Sequence, residues 1–71
     1  MHFDDEDYSM EMVKDGGYWY LMKAARGSTM DQPVWQIKRI VGSTSAGEIV
    51  WAEGSNDFRF IANNYSTLTY K

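Results

Sequence analysis

No cysteine occurs among the 71 residues, and that absence limits the fold more than any other feature. A chain this short buries a modest fraction of its surface, and its core supplies roughly 3–5 kcal/mol. Small domains usually add disulfides, a metal or a partner subunit. Without cysteine, disulfides and thiolate zinc sites are excluded. The single histidine, His2, reads as a solvated residue of an arm, so a histidine metal site is not expected. One small domain is the ceiling, and docking on other subunits is the staple that remains.

Three Trp, five Tyr and three Phe are a heavy load of rings for so few residues. Such side chains either crowd a minimal core or anchor contacts on a surface, and both uses are expected. No stretch approaches the roughly 20 apolar residues of a membrane span. The acidic opening MHFDDEDYS lacks the apolar region of a secretory signal. Synthesis in a cytoplasm, with no membrane partner, is the expectation.

Charge divides the chain. Residues 1–17 hold six acids and one base, a net of −5, whereas residues 18–71 hold four acids and six bases, a net of +2. An acidic arm on a mildly basic body can pair with its own body or a neighbour's. The balance makes nucleic acid an unlikely partner, because phosphate neutralisation needs a basic surface.

Residues 1–17 read as that arm, ended by the turn signal Asp15-Gly16-Gly17. It is either a solubilising tail or a segment that orders on a partner through Phe3, Tyr8, Met10 and Met12. Residues 18–71 read as a small β domain. In 18–25, Tyr18, Tyr20 and Met22 share one face and Trp19 and Leu21 the other. A loop, 26–33, ends at Pro33, which suits a strand entry.

Residues 34–41 read as the second strand, with Trp35 and Ile37 on one face and Val34, Gln36 and Lys38 on the other. Ile40 is out of phase with Ile37, so a bulge near Lys38–Arg39 is expected. A helix is the competing reading, and β-branched content favours the strand. GSTSAG, 42–47, reads as a hairpin loop. EIVWA, 48–52, follows as a strand with Ile49 and Trp51 on one face. DFRFIA, 57–62, is a fourth, with Phe58 and Phe60 inward and Arg59 outward. TLTYK, 67–71, closes as an edge strand with Leu68 and Tyr70 on one face. The expected fold is all-β: an antiparallel meander of four or five strands with an extended N-terminal arm. Burying Trp19, Trp35, Trp51 and Phe58 together calls for curling into a barrel or half-barrel. The expected core is Trp19, Leu21, Trp35, Ile37, Ile49, Trp51, Phe58, Phe60 and Leu68.

Glu53 and Asp57, flanking Gly54-Ser55-Asn56, have the look of a ligand loop. A calcium loop needs alternating oxygen ligands and a later bidentate Glu, and no acid follows Asp57. A carboxylate pair for hydrolysis needs one acid in an apolar cleft. A turn is the better reading, with Asn56 and Asp57 bonding their own backbone. No Cys, one His outside the body and no phosphate-cradling loop before a helix argue against an enzyme. Lys38, Arg39 and Arg59 are a candidate basic stripe across neighbouring strands. It is a solvated face, a contact for an acidic partner, or a site for single-stranded nucleic acid.

The order of landmarks carries a resemblance. WYLMKAARGSTMDQPVWQIKRI, then IVWAEGSNDFRFIANN, then STLTY resembles a module recurrent in tailed-bacteriophage virion proteins. In that module "WYIGKA", "WQIKRI", "WADG" and "SLTY" follow one another. The matching residues are Trp19, Tyr20, Lys23, Ala24, Gly27, Ser28, Trp35 to Ile40, Trp51, Ala52, Gly54, Phe58, Asn63 and Ser66 to Tyr70. They span the body and not the acidic arm. Glu53 departs from the module's Asp, and Ile61-Ala62 from its aromatic. The resemblance implies a non-enzymatic, multi-copy virion component. It would decorate or cement the capsid, or sit at the neck or tail, needing no cofactor or metal. Its partners would be other virion proteins and copies of itself. The expected contact residues are Phe3, Tyr8, Met10, Met12, Tyr18, Tyr20, Lys38, Arg39 and Arg59. The alternative is a small SH3-like or OB-like module for a peptide or single-stranded nucleic acid.

Overall fold

The computed structural model describes residues 8–42 and 47–71. Its strands are β1 (Tyr8–Asp15), β2 (Tyr18–Ala25), β3 (Pro33–Gly42), β4 (Gly47–Trp51) and β5 (Phe60–Ile61), followed by a 3₁₀ helix over Ala62–Thr67. The first four form an antiparallel meander in chain order, and β5 adds to β3. The expected antiparallel meander is therefore present, but the sheet does not close into a barrel.

Residues 8–15, expected as part of the arm, are instead a full strand. Tyr8 pairs with Ala25 and Asp15 with Tyr18. YSMEMVKD alternates with period two, and Gly16 and Gly17 take φ of 61° and 87°. Two such residues make the hairpin turn whose twist matches paired strands. The expectations for residues 1–7, Phe3 among them, lie outside the described residues, as does most of the GSTSAG loop.

β3 is the hub. One edge pairs with β2 from Gln36 to Ile40, and the other pairs with β4 from Lys38 to Gly42. Further back, Pro33 and Trp35 pair with Ile61 and Phe60, and the only irregularity in β3's ladders lies there. No bulge occurs at Lys38–Arg39, and none is needed. Ile37 and Ile40 are out of phase because they belong on opposite sides of the sheet.

The inner side carries the core. Met22, Ala24, Trp35, Ile37, Ala52, Phe60 and Ala62 are buried together. The C-terminal segment closes over them, placing Tyr65, Leu68 and Tyr70 against the cluster. That covering segment explains the open sheet. One side is sealed by a 3₁₀ turn and a tail, so β1 and β4 need not meet. The expected fourth strand shrinks to Phe60–Ile61, and the expected edge strand to one bridge, Ala52 with Tyr70.

The Glu53 turn resolves into structure. Glu53 stands at φ 53°, in a turn where Gly54 N donates to Trp51 O at 3.0 Å. Its own N–H donates to Thr69 O at 2.6 Å, and its carboxylate accepts from Thr69 N at 2.8 Å. Glu53 thus clasps the C-terminal tail to the sheet. At the other end, Trp35 Nε1 donates to Thr29 O at 2.8 Å, fixing the β2–β3 loop under the core.

Trp35 and Ile37 are 1% and 0% exposed, so truncation there acts on the whole fold. Ile37→Val should lower stability by about 1 kcal/mol, read by chemical denaturation. Trp35→Ala should cost about 3–5 kcal/mol, comparable with the stability of the entire domain. Its circular dichroism should be that of an unfolded chain at room temperature, and a native melt would contradict the assignment.

Candidate functional site

Register puts a second set of side chains on the outer side. Met10 lies beside Lys23 and Gln36; Met12 beside Leu21, Lys38 and Trp51; Lys14 beside Trp19, Ile40 and Ile49. Among the described residues, Tyr8, Met10, Met12, Trp19, Ile49 and Phe58 are the exposed large hydrophobics, between 37% and 62% exposed. All but Phe58 are outward residues of β1, β2 and β4. Phe58 precedes β5 and stacks on Tyr8, ring centres 6.2 Å apart, with Lys23 Nζ 5.9 Å from its own ring centre, which joins the chain before β5 to the patch.

This overturns part of the expected core. Trp35, Ile37 and Phe60 are buried, whereas Trp19, Ile49 and Phe58 are exposed at 41%, 53% and 43%. Leu21, Trp51 and Leu68 are half-buried. The physical reason is the open sheet: four large side chains that a closed barrel would enclose are shared between two sides. Phe58 also falls in unpleated chain, so strict alternation with Phe60 does not apply.

Charge follows the same division. Lys14, Lys23 and Lys38 are on the outer side, each against a ring. Lys14 Nζ is 5.7 Å from the Trp19 centroid, Lys23 Nζ 4.6 Å from Tyr8, and Lys38 Nζ 5.3 Å from Trp51. The acids of the described strands, Glu11, Asp15 and Glu48, alternate to the inner side. The outer side is thus apolar, cationic and without a strand carboxylate. A groove of about 300 Å³ runs across it between Met10, Met12, Leu21, Lys23, Gln36 and Lys38.

The expected basic stripe is not formed. Lys38 belongs to the outer side, and Arg39 to the inner. The Arg39 guanidinium carbon is 4.3 Å from the Tyr18 ring centre and 5.0 Å from that of Tyr70. Its Nε is buried without a hydrogen-bond partner, so the rings are its main counterpart. Arg59 is exposed beside Asp57, 3.7 Å away, a pair worth little in water. Tyr20, expected as a contact residue, is 7% exposed and belongs to the inner side. Tyr8, Met10 and Met12 are exposed, and Tyr18 is half-buried. Lys14 and Lys23 were not among the expected contact residues. For Lys14 the signal was the alternation of YSMEMVKD ahead of a Gly-Gly turn; for Lys23 it was only the register of β2 against β1.

The inner tyrosines tie the tail down. Tyr20 lies 4.8 Å from Tyr65 and 5.4 Å from Tyr70 between ring centres. Tyr65 OH donates to Asp15 Oδ2 at 2.8 Å, and Tyr70 OH to Tyr65 O at 2.7 Å. The Asp15 hydrogen bond holds the Tyr65 phenol above its ordinary 10.0. Burial pushes Tyr70 up, against the opposing pull of Arg39. Among the described residues, no three His, Cys, Asp or Glu come together to hold a metal, and no helix is long and apolar enough to cross a membrane.

Comparison with family models, curated proteins and solved structures finds no match.

Two outcomes follow. Met12→Ser and Ile49→Ser should each change stability by no more than about 0.5 kcal/mol, measured by denaturation, because neither side chain is in the core. The raised phenols bind their protons more tightly folded than unfolded. Their contribution is therefore full below pH 10 and is lost as pH rises through the folded values. Tyr70→Phe should flatten that alkaline loss, followed by thermal melts and by phenolate absorbance.

Proposed function

We propose that this chain is a non-enzymatic, multi-copy virion protein of a tailed bacteriophage that docks on other virion proteins through the outer side of its sheet. It would decorate or cement the capsid, or serve at the neck or tail. The observation that carries the docking reading is the segregation of Tyr8, Met10, Met12, Trp19, Ile49 and Phe58 onto one uncovered side. Exposed apolar patches on small proteins mark contact surfaces. The virion assignment rests on the resemblance of the WYLMKAARG, WQIKRI, WAEG and STLTY segments. A small domain with a limited core also gains stability by mass action when it binds.

Rings alternating with lysines also suit single-stranded nucleic acid, whose bases stack on such platforms. The protein reading is favoured because Met10, Met12, Leu21, Ile40 and Ile49 lie between the rings, where base stacking makes no use of them. No arginine stands on the outward positions of the four strands.

Mass spectrometry of purified particles should find the chain at a fixed copy number. Ile49→Ser combined with Trp19→Ala should fold normally and lose at least about ten-fold in particle affinity, roughly 1.4 kcal/mol. Absence from particles would overturn the virion reading. Micromolar quenching of tryptophan fluorescence by an oligonucleotide, without particle binding, would replace it with the nucleic-acid reading.

A further inference from the structure

We propose that β1 is the seam between two copies of this chain, joined antiparallel along their free edges into one continuous sheet. The inference concerns the edge of the sheet, goes beyond the virion reading and does not depend on it.

The edge is open. Among the described residues β1 pairs with β2 alone, and six of its eight residues are exposed. Val13 is the β1 residue packed against the core. Edge strands are commonly blunted by shortness, proline or a bulge. β1 is eight residues long, holds no proline and has no register shift in its ladder. The opposite edge, β4, has five residues, and the Ala52 bridge to Tyr70 follows at once.

Two ladders agree on which backbone groups β1 offers. The two-residue turn at Gly16-Gly17 makes Asp15 and Tyr18 a hydrogen-bonded pair. By alternation Val13, Glu11 and Ser9 also bond to β2. From the far edge, Ala52 N donates to Ile37 O, so Gln36, Lys38 and Ile40 face β2. They take Lys23, Leu21 and Trp19, which leaves Met22 and Tyr20 to bond Glu11 and Val13. Tyr8, Met10, Met12 and Lys14 therefore turn their N–H and C=O away from the sheet.

Charge selects the register. A two-fold axis perpendicular to the sheet keeps both outer sides on one side, so residues of like phase face each other. Like charges directly opposite are destabilising. Centring the pair on Glu11 sets Glu11 against itself, and centring it on Val13 sets Glu11 against Asp15. Centring on Met10 confines the overlap to residues 8–12. Centring on Met12 overlaps residues 9–15 and opposes no like charges. It faces Met10 with Lys14, Glu11 with Val13 and Ser9 with Asp15. A foreign strand would have to match this spacing, whereas a second copy does so by symmetry. The seam leaves Trp19 and Ile49 free and sets the two outer patches side by side.

Sedimentation equilibrium of the full chain tests this. The average mass should double as concentration rises through the micromolar range. Met12→Pro removes an N–H that the fold does not use. It should keep the circular dichroism spectrum and the mass of one chain. If proline disturbs β1 itself, a charge pair decides. Met10→Lys would face Lys14 of the other copy twice per dimer and should weaken association about five-fold. Adding Lys14→Glu should restore it. One-chain mass at every concentration overturns the proposal, as does growth past two chains. Association indifferent to Met10→Lys, or not restored by Lys14→Glu, overturns it too. A monomer that binds particles refutes only the seam. A dimer absent from particles refutes only the virion role.

Discussion

The alternation of β3 governs the rest of the molecule. This strand is paired along both edges, so its register admits no slip. Trp35 and Ile37 are sealed on the inner side with 1% and 0% exposure. Every neighbouring side chain is then assigned by its partner in the ladder. Met22 pairs with Ile37 and is buried; Leu21 pairs with Lys38 and is not. A shift of one residue would send Trp35 outward and bury Lys38. The same constraint therefore builds the core and gathers the lysines and uncovered rings on the opposite side.

The two sides are finished differently. Inward, the tail is tied over the core by the Glu53 clasp on Thr69 and by phenols bonded to Asp15 and to the Tyr65 carbonyl. Asp15 closes the first hairpin and Tyr65 belongs to the last turn, so one hydrogen bond links distant parts of the chain. Outward, nothing among the described residues performs that service. A chain with so small a core keeps large apolar side chains in water at a cost, and the proposed docking role gives that exposure a use.

Much of this was legible in the sequence. Strands β2 and β3 were legible as strands, as was the burial of Trp35, Ile37 and Phe60, but β2 was turned the wrong way, with Trp19 and Leu21 expected inside and Tyr20 outside. Four things were not. The first strand was hidden because acids dilute the apolar signal of YSMEMVKD, and only its pairing across Gly16-Gly17 identifies it. The side taken by Trp19, Ile49 and Phe58 was hidden because a large ring looks the same in sequence whether it fills a core or awaits a partner. The phase slip at Ile40 looked like a bulge because one strand was assumed to have one apolar side. The grouping of Lys14, Lys23 and Lys38 is a property of register across three strands, which no single segment announces.

The central claim is that the sheet has a sealed side and a docking side, and the absence of cysteine allows a direct measurement. Single thiols introduced as Ile37→Cys, Met12→Cys and Ile49→Cys can be followed with a thiol reagent on an otherwise inert chain. The account predicts rapid reaction at positions 12 and 49 in the free protein and none at 37 until the chain unfolds. On binding its partner, the first two should become protected. Equal reactivity at position 37, or thiols at 12 and 49 that stay open in the bound state, would contradict it.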